Sequence, residues 1–179
     1  ALSLSEAMTI VILFHQSGFR FFKYFYCQMI VPFWKSAFPQ LLSYNRFIEI
    51  MPRCLQALSS FFHRIKGKDT GISIIDSTKL VVCHNLRIKR HRVFKGLADR
   101  GKSSTGWFYG FKLHLVINHL GEIINLKLTS GNVHDVAVLE SLTQELKGVL
   151  LGDKGYLSKA KAETLAARGL KILTPSRRN

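Results

Sequence analysis

The hydrophobic pattern changes period near Gly71, and that change constrains the fold more than any other feature of the chain. Up to Lys66 apolar residues recur at helical spacing; beyond Gly71 they come as short branched runs and alternating stretches. Ile72, Ile74, Ile75, Leu80, Val81 and Val82 form one strand-like run. Phe111 to Asn118 alternates, and Glu122 to Thr129 follows the turn residues His119 to Gly121, so these two read as a hairpin. Asp135 to Leu146 then has a helical pattern, and Gly148 to Leu151 is a short buried strand. Ser158 to Arg168 is a second helix, opened by Ser158 and closed by Gly169, and Lys171 to Thr174 is a further strand. Three consecutive strands followed by alternating helix and strand predict an α/β fold, a mixed sheet flanked by helices.

Residues 1–66 predict a small all-helical region and residues 67–179 a second domain, with the polar, glycine-flanked segment Gly67 to Gly71 as the linker. The helical region has breaks at Gly18, Pro32, Pro39 and Pro52. After Ser43 the spacing places Phe47, Met51, Leu55, Leu58 and Phe62 on one face, with Pro52 either kinking this helix or starting a second. Helical core packing accounts for that face; a helical DNA-binding module is the alternative. The apolar run from Ala7 to Phe14 is too short to span a bilayer, and no basic segment with a small-residue cleavage site precedes it. No membrane association is expected. The chain starts at Ala1 rather than methionine, which suggests missing residues in front.

Charge narrows the partner. Lysine and arginine outnumber aspartate and glutamate 26 to 11, a formal net charge of +15, which suits a polyanion. The excess is concentrated in Arg87, Lys89, Arg90, Arg92, Lys95, Arg100 and Lys102, opposed only by Asp99. A solvated loop and a nucleic-acid contact are both compatible with such a cluster. Its position, in a connection from Cys83 to Gly110 that is longer than a hairpin needs, favours a functional loop. Trp107, Phe108 and Tyr109 close that connection; any of them could stack on an unpaired base, but packing under the loop is expected for at least two. Cys27, Cys54 and Cys83 are too far apart and too few for a disulfide framework or a zinc site, and none of the histidines forms an HExxH motif.

Two carboxylates stand at the ends of apolar runs. Asp76 follows Ile72 to Ile75, and Asp153 follows Val149 to Gly152. Taken singly, each could be a turn or capping aspartate. On adjacent strands they would reach one cation. Hard divalent ions prefer carboxylate oxygens, and they cancel the repulsion that would otherwise make one of two close carboxylates take up a proton. Phosphoryl transfer with magnesium or manganese is the chemistry that wants this arrangement.

At these residues a resemblance becomes specific. Ile-Asp-Ser-Thr at Ile75 to Thr78, the stretch Gly106 to Leu115, Thr-Ser-Gly-Asn-Val-His-Asp at Thr129 to Asp135, Leu-Gly-Asp-Lys-Gly-Tyr at Leu151 to Tyr156, and Leu-Thr-Pro at Leu173 to Pro175 resemble, in order and spacing, bacterial insertion-sequence transposases of the DDE type. Within that type the chain is most similar to the insertion-sequence family numbered nine-eighty-two. The resemblance is strong from Ile72 onward and weaker over Ser43 to Lys66.

The resemblance implies a ribonuclease H-like, retroviral-integrase-like core with Asp76 on the first strand and Asp153 just after the fourth. These two would be catalytic and would bind Mg2+ or Mn2+. The family's third acid is a glutamate on a later helix, and the chain stops at Asn179, so the resemblance implies a core incomplete at its C-terminus and inactive alone. Glu163 lies on the intervening helix and is expected to face solvent. Asp135 is expected to cap the helix it begins, and Lys154 to meet a phosphate or to be an exposed turn residue. The partner implied is double-stranded DNA, both terminal inverted repeats and target, met through Arg87, Lys89, Arg90, Arg92, Lys95, Arg100, Lys102 and Lys154. A homodimer when complete and a bacterial cytoplasmic, nucleoid-associated location are also implied. The alternatives are a ribonuclease H-like nuclease that cuts without joining, and a DNA-binding remnant that does neither.

Overall fold

The computed structural model describes residues 1–175 and divides into two compact units, Ala1–Ile65 and Lys66–Asn179. The first is helical: α1 (Leu4–Gln16), α2 (Phe22–Phe25), α3 (Val31–Phe33), α4 (Tyr44–Ile50) and α5 (Cys54–Ile65). Ser3 and Glu6 form a reciprocal capping box that satisfies the first free amides of α1. Pro32 does not break its helix, contrary to expectation. A π turn at Tyr26–Ile30 leads α2 without a break into α3, so Pro32 lies inside a continuous helical run, directly after the π turn.

Ala7, Ile10, Phe25, Tyr26, Ile30, Phe38, Phe47 and Cys54 form the core of this unit. Phe47 stacks on Phe22 at 5.6 Å and meets Tyr26 at 4.9 Å, while the Tyr26 hydroxyl donates to the Leu42 carbonyl. The single helical face expected after Ser43 is not continuous. A 3-10 turn at Met51–Arg53, with Pro52 inside it, shifts the phase between α4 and α5, so Phe47 is buried whereas Leu55 is 74% exposed.

Among the described residues the second unit is a six-stranded mixed sheet with two helices. Its strands are β1 (Ile72–Cys83), β2 (Asp99–Ser103), β3 (Gly106–Asn118), β4 (Ile123–Ser130), β5 (Gly148–Gly152) and β6 (Leu170–Leu173), with α6 (Asp135–Leu142) before β5 and α7 (Lys159–Ala167) before β6. β3 runs antiparallel to β1, and its other edge carries β2 and β4 end to end. β5 and β6 extend the sheet in parallel beyond β1. The three parallel strands are joined through α6 and α7, as parallel neighbours require.

Ile75, Val116, Ile124, Leu150 and Leu170 from the sheet meet Val138, Leu139, Leu142 and Leu165 from the helices in one core. Each such fully buried side chain contributes roughly 1.5–3 kcal/mol. The segment expected to be a linker is fastened to this unit instead. Gly67 N–H donates to the Ile123 carbonyl, and Asp69 accepts from the amides of Gly71 and Lys147.

β1 runs through Asp76 to Cys83, one residue beyond the expected run, so this aspartate lies within the strand. Two elements depart from the expected pattern. The connection from Cys83 to Gly110 is structured: a 3-10 turn covers Asn85–Arg90, and β2 pairs with the first residues of β3. Asp135 is the first residue of α6 and not its cap; His134 occupies the cap position, without a capping side-chain bond.

Candidate active site

The sheet register brings two acids together. In the parallel pair of β1 and β5 the last matched residues are Ile75 and Gly152, so the next residues are Asp76, within β1, and Asp153, directly after β5. Side chains at matched positions of parallel neighbours leave the same face. Both aspartates line one cleft of about 310 Å3. Gly152 can hold its place beside Ile75 because a Cβ there would stand 3.1 Å from Ile75 Cγ2.

Each aspartate is steadied locally. Asp76 Oδ1 accepts from the Ser77 amide at 2.7 Å. Asp153 Oδ1 accepts from the Gly155 amide at 2.8 Å and caps the 3-10 turn Lys154–Tyr156. The capping role open from sequence is therefore real for Asp153, and it fixes the carboxylate without consuming its second oxygen. Both residues are exposed.

A third acid reaches the cleft. Asp135 lines it, and Lys112 holds its Oδ1 at 3.1 Å while donating to the Val133 carbonyl at 3.0 Å. A methyl placed on Gly155 would stand 3.0 Å from Asp153 Oδ1 and 3.1 Å from Asp135 Oδ2. The carboxylates of Asp153 and Asp135 thus flank the bare α-carbon of Gly155. His114 lies under Asp135, fully buried, with Nε2 bonded to the Thr129 hydroxyl at 2.9 Å and Nδ1 3.8 Å from Asp135 Oδ1. Burial lowers its proton affinity; Asp135 opposes that shift, and Lys112 and Lys127 add to it. The Tyr156 phenol is pushed well above the ordinary tyrosine range, first by burial and then by Asp135, with Asp76 and Asp153 adding to the rise. The Ser77 hydroxyl beside it counters this, although among the described residues the phenol oxygen has no partner in hydrogen-bond geometry.

Among the described residues no three His, Cys, Asp or Glu side chains stand together as a ready metal cage. Asp76 and Asp153 nonetheless supply the donor type a hard cation takes. Magnesium is commonly held by one or two carboxylates, with waters and substrate phosphates completing its shell. Glu163 is exposed on α7 and does not line the cleft.

Cations border the acids. Lys79, Lys102 and Lys112 line the cleft, and Lys79 Nζ is bonded to the Thr105 hydroxyl at the tip of the β2–β3 hairpin. Of the eight cations expected at DNA, Lys102 is the one that lines this cleft. Arg87, Lys89 and Arg90 sit on the 3-10 turn, Arg92 and Lys95 follow it, and Arg100 lies on β2 beside a separate hollow. Lys154 is exposed on the turn after Asp153, outside the lining. Sequence reasoning missed Lys79 and Lys112. The signal for Lys112 lay in the period of β3, where Lys112, His114 and Asn118 share a face with the core residue Val116, while Phe111, Leu113, Leu115 and Ile117 take the other.

Residues 66–179 match the family described as transposase DDE domain. No curated protein matches the chain. Among solved structures it is similar to the piggyBac transposase in a synaptic complex with hairpin DNA, at 13% identity and a TM-score of 0.58, covering 98% of this chain and 41% of that one. It also aligns with a chain of the Mos1 strand transfer complex at 13% identity and a TM-score of 0.35, covering 97% of this chain and 58% of that one. The chain therefore spans less than two thirds of either. The piggyBac likeness concerns the fold, which is ribonuclease H-like. Because the matched segment takes in the whole sheet and both of its helices, more than half of the sequence, the protein belongs to the transposase DDE domain family.

Proposed function

We propose that this protein is a DNA transposase of the DDE type, in which Asp76 and Asp153 jointly hold a divalent cation, Mg2+ or Mn2+, for cleavage and joining of transposon ends. The observation that carries this reading is the register of β1 and β5, which delivers both carboxylates to one cleft. When bound, the cation would supply Lewis-acid activation of a hydroxyl and stabilisation of the leaving oxygen. Asp76 and Asp153 would be oriented by the Ser77 and Gly155 amides. Lys79 and Lys102 are placed to hold phosphates of the strand entering the cleft. Lys112 is neutralised by Asp135, so its role is to position that acid rather than to bind DNA.

In this reading Arg87, Lys89, Arg90, Arg92, Lys95, Arg100 and Lys154 extend the cationic track along double-stranded DNA, at terminal repeats and at target. The helical unit 1–65 is a candidate for end recognition. The finer placement, in the bacterial insertion-sequence family numbered nine-eighty-two with dimers as the acting species, rests on the motifs from Ile75 to Pro175. No described residue is assigned as the third acid. The reading is tested by incubating the full-length gene product with labelled DNA from either side of its gene and Mg2+. Nicked ends that become joined to a target plasmid support it. Nicking without joining leaves a nuclease, and binding without nicking leaves a DNA-binding protein.

A further inference from the structure

The triplet Trp107, Phe108 and Tyr109 separates on folding. Phe108 and Tyr109 are 3% and 7% exposed, whereas Trp107 is 63% exposed. Strand alternation puts Trp107 on the same face of the β2–β3 ribbon as Arg100 and Lys102, and Lys102, its cross-strand partner, holds Nζ 5.8 Å from the indole centroid. The Asn85 side-chain amide donates to the Trp107 carbonyl at 2.9 Å, which fixes the strand behind the ring. Asn85, Arg100 and Trp107 border a hollow of about 460 Å3, distinct from the carboxylate cleft.

The ribbon that carries this ring is braced. Gly101 packs against the Gly131 backbone and the Phe108 ring with no room for a Cβ, and Asn132 donates to Asp99 at 3.0 Å on the opposite face. A large indole left in water on a braced strand, flanked by two cations, is an aromatic platform with anion contacts on either side. Stacking needs a free π face on the ligand, which a base inside a duplex does not offer, and the flanking charges select a ligand whose ring is attached to phosphates.

We propose that Trp107, with Arg100 and Lys102, captures an unpaired nucleobase of the DNA, one that has left the duplex near the strand being processed. Lys102 also lines the carboxylate cleft, so a nucleotide seated on Trp107 neighbours the phosphates held there. The inference rests on the DNA-binding reading above and deepens it.

The chain has two tryptophans, and the Trp34→Phe variant leaves Trp107 as the only indole. This variant is titrated with an oligodeoxythymidylate and with a duplex of equal length. Single-stranded DNA is expected to quench the indole emission and the duplex to leave it largely unchanged. In the otherwise native protein, Trp107→Ala is expected to weaken single-strand binding roughly ten-fold while changing duplex binding by less than about two-fold, and Trp107→Phe to recover part of the loss. Circular dichroism of the phenylalanine variant guards against misfolding. Equal losses for both DNAs, or none, together with unquenched emission, overturn the inference while leaving the DNA-binding reading in place. Absence of binding to either DNA removes both.

Discussion

Asp76 and Asp153 follow directly after Ile75 and Gly152, the last matched pair of two parallel strands, so two acids 77 positions apart are delivered to one cleft by backbone hydrogen bonding alone. No loop has to fold onto the site to bring them together. A residue of β1 or β5 that slipped by one position would send one carboxylate to the opposite face.

Gly155 is the first place to test this geometry. Its α-carbon faces both Asp153 and Asp135, and an added methyl would press on an oxygen of each. Its backbone is not in the left-handed region, so Gly155→Ala should fold. We expect DNA binding to be kept and Mg2+-dependent cleavage to fall by at least about ten-fold, because displacements near an ångström are costly at a reacting centre. Cleavage kinetics beside a binding titration give the answer.

The Lys112–Asp135 pair is mostly buried, with side chains 13% and 20% exposed. Removing one partner strands the other charge, so Asp135→Leu or Lys112→Met alone should cost about 2 kcal/mol, less than a fully buried pair would. The double replacement Lys112→Met with Asp135→Leu should be less damaging than either single change. Urea unfolding of the four proteins measures the coupling.

His114 makes stability depend on pH. Burial holds its folded-state proton affinity below the ordinary value of 6.5, so the native protein keeps it neutral while the unfolded chain takes up a proton. Its contribution is fully present above that value and is lost as pH falls through the window between 6.5 and the lower folded value. Thermal unfolding between about pH 7.5 and about pH 5.5 should show falling stability in the native protein and a shallower fall in His114→Gln.

The cationic segment predicts a salt response. If Arg87, Lys89 and Arg90 meet phosphates, replacing all three with glutamine should reduce the slope of log affinity against log salt by about 3, since each contact releases close to one counterion. An unchanged slope places these residues off the DNA. Filter binding at several salt concentrations measures it.

What could be read from the sequence was what depends on local period and local caps. The β3–β4 hairpin, α7 with its Ser158 cap and Gly169 in the left-handed region, and the alternating order of the later elements all follow from short-range pattern. β2 was hidden because Asp99–Ser103 carries no apolar residue, and it exists through pairing with β3 rather than through its own propensity. Leu55 misled because one 3-10 turn is enough to rotate a helical face. The role of Lys112 needed the third dimension: its partner Asp135 is 23 positions away, and only the packing of α6 against β3 brings the two together.

Joint coordination by Asp76 and Asp153 is tested most directly by Mn2+ binding followed by electron paramagnetic resonance. Native protein is compared with Asp76→Asn, Asp153→Asn and the double variant. Joint coordination predicts that either single change weakens Mn2+ binding by more than roughly ten-fold and that the second adds almost nothing, because the site is already lost. Unchanged binding in either single variant, or losses that simply add, would contradict it.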